Sequence, residues 1–192
     1  GNLTCLVYTN AAVAMHDTRK NLKRVNLRPA FGDGKSTNIT RTLDGGWLPI
    51  PVIEVESRGV TYRQRTFVAP ADEAGQNATR LNRRSVCVVE FTVTNTLAEP
   101  TEASVALAFS GQTPVELVSK PRGWQLRAED AKLGFVATTN ASLTGTAQNG
   151  TLKLAGTLPA HATAHCAALL PNDEDTSLGS FTAAQLRTAT EA

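Results

Sequence analysis

Glu54 and Glu56, in the stretch "PVIEVES", are the carboxylate pair with the most chemical promise in this 192-residue chain. On an extended strand, side chains two residues apart point the same way, about 7 Å from each other. That spacing falls within the range for the acid and base of an inverting glycosidase. Any strand with one wet face yields the same pair, and here Val52, Ile53 and Val55 account for the buried side. Glu54 and Glu56 are therefore weak catalytic candidates. Trp47 in "DGGWLP" and Trp124 in "PRGWQL" lie beside turn residues. An exposed indole stacks on the apolar face of a sugar with little side-chain entropy to lose, so both are candidate sugar contacts. The same rings would also serve as plugs over the ends of a core.

Other constellations are incomplete. His161, His165 and Cys166 would share a metal only on a helix. On a strand, residues four apart are about 13 Å from each other, beyond the reach of one zinc ion at about 2 Å from each ligand nitrogen. "PAHATAHCAALLP" opens on Pro159 and runs into a β-like apolar stretch, so no metal site is expected. "GDGKST" has Pro29 where a phosphate-cradling loop needs its first glycine, and reads instead as a glycine-rich turn. No GxSxG nucleophile turn is present. No catalytic residue and no cofactor is assigned.

The elements that must position these residues are short strands. "VIEVES" and "VTYRQRTFV" flank Arg58-Gly59, and Asn149-Gly150 separates "LTGTAQ" from "TLKLAG"; both are hairpin signals. "SVCVVEFTVTN" places Cys87, Val89, Phe91 and Val93 on one face, and "EASVALAFSG" does the same with Ala103, Val105, Leu107 and Phe109. The short connection "TLAEPT" predicts that these two runs are antiparallel neighbours. Runs at "PVELVS", "GWQLRAE", "LGFVATT" and "ATAHCAALLP" continue the pattern. Strands at roughly ten-residue intervals, punctuated by Gly, Pro and Asn, predict an all-β antiparallel sandwich or barrel. The first fifty residues are less regular: "CLVYTNAAVAM" reads as a strand leading into a short helix, and "FGDGKSTNITRTLDGGW" as an ordered loop.

The chain is long enough for a single well-buried core. Its 19 basic and 17 acidic side chains nearly balance, so no footprint for nucleic acid or an anionic membrane is expected. The basic stretches "RKNLKRVNLR" and "RLNRR" lack the interleaved aromatics of a single-strand groove. No apolar run is long enough for a membrane-spanning helix. Cys5, Cys87 and Cys166 form no CxxC or Cys/His cluster. Cys87 and Cys166 read as small core residues, and room remains for one bridge.

The succession "VESRGVTYRQRTFVAP", "RRSVCVVEFTVTNTLAEPTEASVALAFSG" and "GTLKLAGTLPAHATAHCAALLP", followed by a helix, resembles the N-terminal β-super-sandwich domain of bacterial glycoside hydrolases and phosphorylases with an (α/α)6 catalytic barrel. The resemblance spans roughly Val52 to Ala192 and is one of layout. It implies a galactose-mutarotase-like sandwich over residues 1–180. It also implies a helical linker starting at 181–192 and a helical catalytic domain of the same parent chain as partner. Carbohydrate is the candidate ligand, and a secreted or periplasmic location is expected. The catalytic acids of that family lie in the barrel, so none is carried over. The alternative is a free-standing carbohydrate-binding or adhesion-type sandwich.

The terminal "GSFTAAQLRTATEA" agrees with a linker. Thr182 and Gln185 have capping-box spacing, and Phe181 and Leu186 occupy the staple positions, yet no Gly, Asn or Pro closes the helix. This predicts a helix that runs on past Ala192.

Overall fold

A computed structural model describes residues 3–17, 22–34, 38–70, 85–129, 131–138 and 142–171. They form fourteen strands. In chain order these are β1 (Leu3–Val7), β2 (Val13–Asp17), β3 (Leu22–Phe31), β4 (Ile39–Leu43), β5 (Pro51–Ser57), β6 (Val60–Pro70) and β7 (Ser85–Asn95). The second half contributes β8 (Thr101–Ser110), β9 (Glu116–Lys120), β10 (Gly123–Ala128), β11 (Ala131–Thr138), β12 (Thr144–Gln148), β13 (Thr151–Leu158) and β14 (Thr163–Pro171). A 3-10 turn, Asp44–Gly46, follows β4. The terminal helix predicted from Thr182, with the linker boundary at 181, lies outside the described residues.

The strands make two sheets, of six in the order β1-β2-β3-β8-β13-β12 and of eight in the order β4-β5-β6-β7-β14-β11-β10-β9. Every pairing is antiparallel. The chain is thus an all-β antiparallel sandwich. Side chains alternate across a strand, and the alternation supplies the core: Val89, Phe91 and Val93 from β7 lie in one apolar cluster with Val105, Leu107 and Phe109 from β8. Phe31 of β3 bridges the layers, its ring centroid 5.6 Å from Tyr62 and 6.2 Å from Phe91.

Both hairpin signals hold. Arg58-Gly59 and Asn149-Gly150 have positive φ at both positions, as a two-residue type I′ turn requires, and they join β5 to β6 and β12 to β13.

Three expectations are corrected. β7 and β8 are not neighbours in one sheet: β7 pairs with β6 and β14, β8 with β3 and β13. Asn95 turns the chain across the sandwich. Fully buried, it donates through Nδ2 to the carbonyls of Glu99 (2.8 Å), Pro159 (2.9 Å) and Leu158 (3.1 Å), while Oδ1 accepts the Leu97 N–H at 2.9 Å. An apolar face looks the same in sequence whether its partner lies beside it or opposite it. "CLVYTNAAVAM" holds no helix: it is the β1–β2 hairpin, closed by Tyr8 N–H to Ala12 C=O at 2.9 Å with Ala11 at φ 68°. The stretch read as a loop contains β4, which pairs with β5 along its whole length. All five β4 residues are exposed, so an edge strand without a buried face showed no period.

Candidate functional site

Glu54 and Glu56 alternate with Ile53 and Val55, whose side chains join the core. The glutamates therefore stand on the outer face of the eight-stranded sheet, Glu54 half-buried and Glu56 exposed. Val52 stands on that outer face with them, not in the core as its neighbours suggested, and is buried there all the same.

The register of β5, β6, β7 and β14 lays this face out in rows. Glu54, Arg63, Thr92 and His165 form one row across the four strands. Glu56, Thr61, Thr94 and Thr163 form the row on one side of it, and Val52, Arg65, Glu90 and Ala167 the row on the other. The Thr92 hydroxyl lies 3.3 Å from His165 Nδ1, and the Thr94 and Thr163 hydroxyls are 3.1 Å apart.

The loop between β4 and β5 folds over this face. Asp44 N–H bonds the Ile50 carbonyl at 2.9 Å, which closes the loop. Its carboxylate then meets both arginines: Arg63 Nη2 is 3.3 Å from Oδ1, and Arg65 reaches Oδ2 through Nε at 2.8 Å and Nη2 at 2.6 Å. Arg65 also approaches Glu90 at 3.5 Å and stacks over the Phe67 ring at 5.1 Å. Guanidinium groups suit such multiple planar contacts. Trp47, on the same loop, is 75% exposed.

Beyond Arg65 the face changes character. Phe67, Val88, Leu169 and Phe135 make the next row. Together with Ala69, Val86 and Ala167 they form a second apolar cluster, separate from the main core, against which Ile50 packs. Val88 and Leu169 have no exposed surface. Strand faces turned away from a sandwich core are ordinarily solvated, so this face is polar at one end and apolar at the other.

The structure thus gathers Trp47, Glu54 and Glu56 on or beside one face and separates Trp124 from them. Trp124 pairs with Val136 on the inner side of β10 and packs against the main core. A Cβ placed on Gly145 of β12 would fall 2.1 Å from the Trp124 ring, so only glycine admits the indole there. His161 sits exposed in the turn before β14 at φ 57°, while His165 and Cys166 point to opposite faces of that strand. Among the described residues no three His, Cys, Asp or Glu side chains come together as metal ligands, and no helix is long and apolar enough to cross a membrane. Gly32-Asp33-Gly34 makes a turn closed by Gly34 N–H to the Phe31 carbonyl at 3.0 Å. A cleft of about 820 Å³ opens where the edge strands β9 and β12 face each other, with Gln112, Glu116 and Gln148 on its walls. It contains none of the candidates.

Asp44, Arg63, Arg65 and Glu90 escaped the sequence reading, which weighed His165 only as a metal ligand. A signal existed, because Arg63 and Arg65 alternate with apolar Tyr62, and Glu90, Thr92 and Thr94 alternate with Phe91 and Val93. Polar side chains recurring on three consecutive strands identify one shared wet face. Chemically, the face combines guanidinium donors, carboxylate acceptors, hydroxyls and an exposed indole, the groups that engage the hydroxyls and apolar faces of a sugar.

No protein-family model matches this chain, and no curated protein is similar to it in sequence.

Proposed function

We propose that this sandwich is a non-catalytic accessory domain of a carbohydrate-active enzyme of the glycoside hydrolase or phosphorylase type. It works from outside the cytoplasm, packed against a helical catalytic domain of the same parent chain. The observation that carries this reading is the divided outer face of the eight-stranded sheet. A second apolar cluster on the outer side of the sheet suits a layer packed over it, and its buried members, each 9% exposed or less, are already covered within this chain. The chain leaves β14 at Pro171, whose cross-strand partner is Val86 of that cluster, so the polypeptide leading onward starts beside the apolar rows. The polar rows then flank the junction, with Trp47, Glu54 and Glu56 in reach of a sugar bound near it.

The test compares this chain with one lengthened by the coding sequence after Ala192, both assayed on a panel of aryl glycosides and oligosaccharides with and without phosphate. Turnover is expected only in the longer protein, and Leu169→Glu should reduce it. A reading frame that closes at Ala192, or turnover by this chain alone that is lost in Glu54→Gln or Glu56→Gln, overturns the proposal.

The exposure of Trp47 favours a second reading, a free-standing carbohydrate-binding module. Saturable oligosaccharide binding by this chain, lost in Trp47→Ala and accompanied by a frame ending at Ala192, would establish it instead.

A further inference from the structure

Cys5 of β1 and Cys87 of β7 belong to different sheets, yet their sulfurs lie 2.7 Å apart. Both thiols are free in this structure. We propose that Cys5 and Cys87 form a disulfide that fastens the edge strand of the six-stranded sheet to the centre of the eight-stranded sheet. The sulfurs need to close by less than 1 Å to reach the bonded separation of about 2.05 Å, and the surrounding strands already hold them face to face. Cys166 does not compete. It pairs with Phe91, four residues along β7 from Cys87, a displacement of about 13 Å.

The two thiols are unequal in a way that orders the chemistry. Cys5 is half-buried, and the hydrogen bond from Cys87 holds its thiol below the ordinary range. Cys87 is fully buried, and the same contact together with burial pushes its thiol up. Cys5 is thus the accessible nucleophile. With oxidised glutathione as oxidant, the Cys5 thiolate attacks one glutathione sulfur and expels the other as a thiolate, leaving a mixed disulfide. Cys87 then gives up its proton and attacks Cys5 Sγ, expelling the second glutathione thiolate. The two protein thiols lose two electrons and two protons, and one glutathione disulfide becomes two glutathione thiols. The bridge closes a separation of 82 residues, and long loops are where a cross-link restricts the unfolded chain most.

The test is incubation of the folded chain with oxidised glutathione, followed by non-reducing peptide mapping and titration of thiols in denaturant. Peptides containing Cys5 and Cys87 should be found joined, and the thiol count should fall from the three of the sequence to Cys166 alone. Thermal unfolding should shift up by about 5–15 °C and return on adding dithiothreitol. Cys166→Ser should keep the link. Cys5→Ser and Cys87→Ser, each checked for an unchanged far-ultraviolet spectrum, should lose the shift. Three thiols remaining, a stable glutathione adduct on Cys5, or a bridge to Cys166 would each overturn the proposal.

Discussion

Asp44 receives the guanidinium of Arg65 with Nε 2.8 Å from its Oδ2, and this contact ties the β4–β5 loop to the middle of β6. The Asp44 and Arg65 side chains are 21% and 18% exposed, which places the pair between a surface ion pair worth less than about 1 kcal/mol and a buried one costing about 3–5 kcal/mol to break. Arg65→Ala also removes the stack on Phe67, so we expect a loss of about 1–3 kcal/mol in urea unfolding. Asp44→Asn should cost less, and a double-mutant cycle should show coupling between the two positions. Strict additivity would mean that the pair does not hold the loop.

Asn95 should be among the most sensitive polar positions. Its Nδ2 faces three backbone carbonyls, and truncation to alanine strands them in a buried site. Asn95→Ala should cost about 2–3 kcal/mol. Asn95→Asp should be worse at neutral pH than at acid pH, because only the protonated carboxyl has a hydrogen to donate. Urea midpoints measured at two pH values would show the difference.

The two tryptophans should separate. Trp47 has three quarters of its surface in solvent, so Trp47→Ala should change stability by less than about 0.5 kcal/mol. Trp124 packs into the core beside Gly145, and its truncation should cost about 2–4 kcal/mol. Phe91→Ala, at a position 1% exposed, should cost about 3–5 kcal/mol. Equal effects at Trp47 and Trp124 would contradict these placements.

Stability should fall in alkaline solution. Burial pushes the Cys166 thiol up from its ordinary 9.0 to about 12, and burial also raises the Tyr62 hydroxyl. A raised folded-state value means that the unfolded chain ionises first. The contribution of Cys166 is therefore fully present below about pH 9 and is lost as pH climbs toward 12, by at most about 1.4 kcal/mol per pH unit. Cys166→Ala should flatten that part of the curve, measured by urea unfolding in reductant. An unchanged slope would mean that the thiol ionises freely in the folded protein.

Much of the fold is legible in the chain because its causes are local. Alternation along "SVCVVEFTVTN" and "EASVALAFSG" identifies strands and the side chains that meet in the core. Where an element buries no face, as in β4, local pattern carries nothing, and where small apolar residues surround a turn, as at Ala11-Ala12, a hairpin and a helix start look alike. The candidate face was half legible. Glu54 and Glu56 were visible as a pair, but Asp44 is 19 and 21 residues from the arginines that bind it, and no spacing rule spans a loop, a strand and a turn.

By itself the sequence determined an all-β chain, the hairpins at Arg58-Gly59 and Asn149-Gly150 and the core-facing sides of β7 and β8, since residue period and turn chemistry act between near neighbours. Only the tertiary structure decided which strands share a sheet, because an apolar face is satisfied equally by stacking or by lateral pairing, and Asn95 with its three carbonyl partners selects stacking. It also decided the outer apolar rows. The unbroken "VCVV" and "CAALL" mark strands buried on both sides, but which side faces the other sheet depends on how β7 and β14 pair. The meeting of Cys5 with Cys87 follows from the same cause: β1 reaches β7 only when two sheets close on one another.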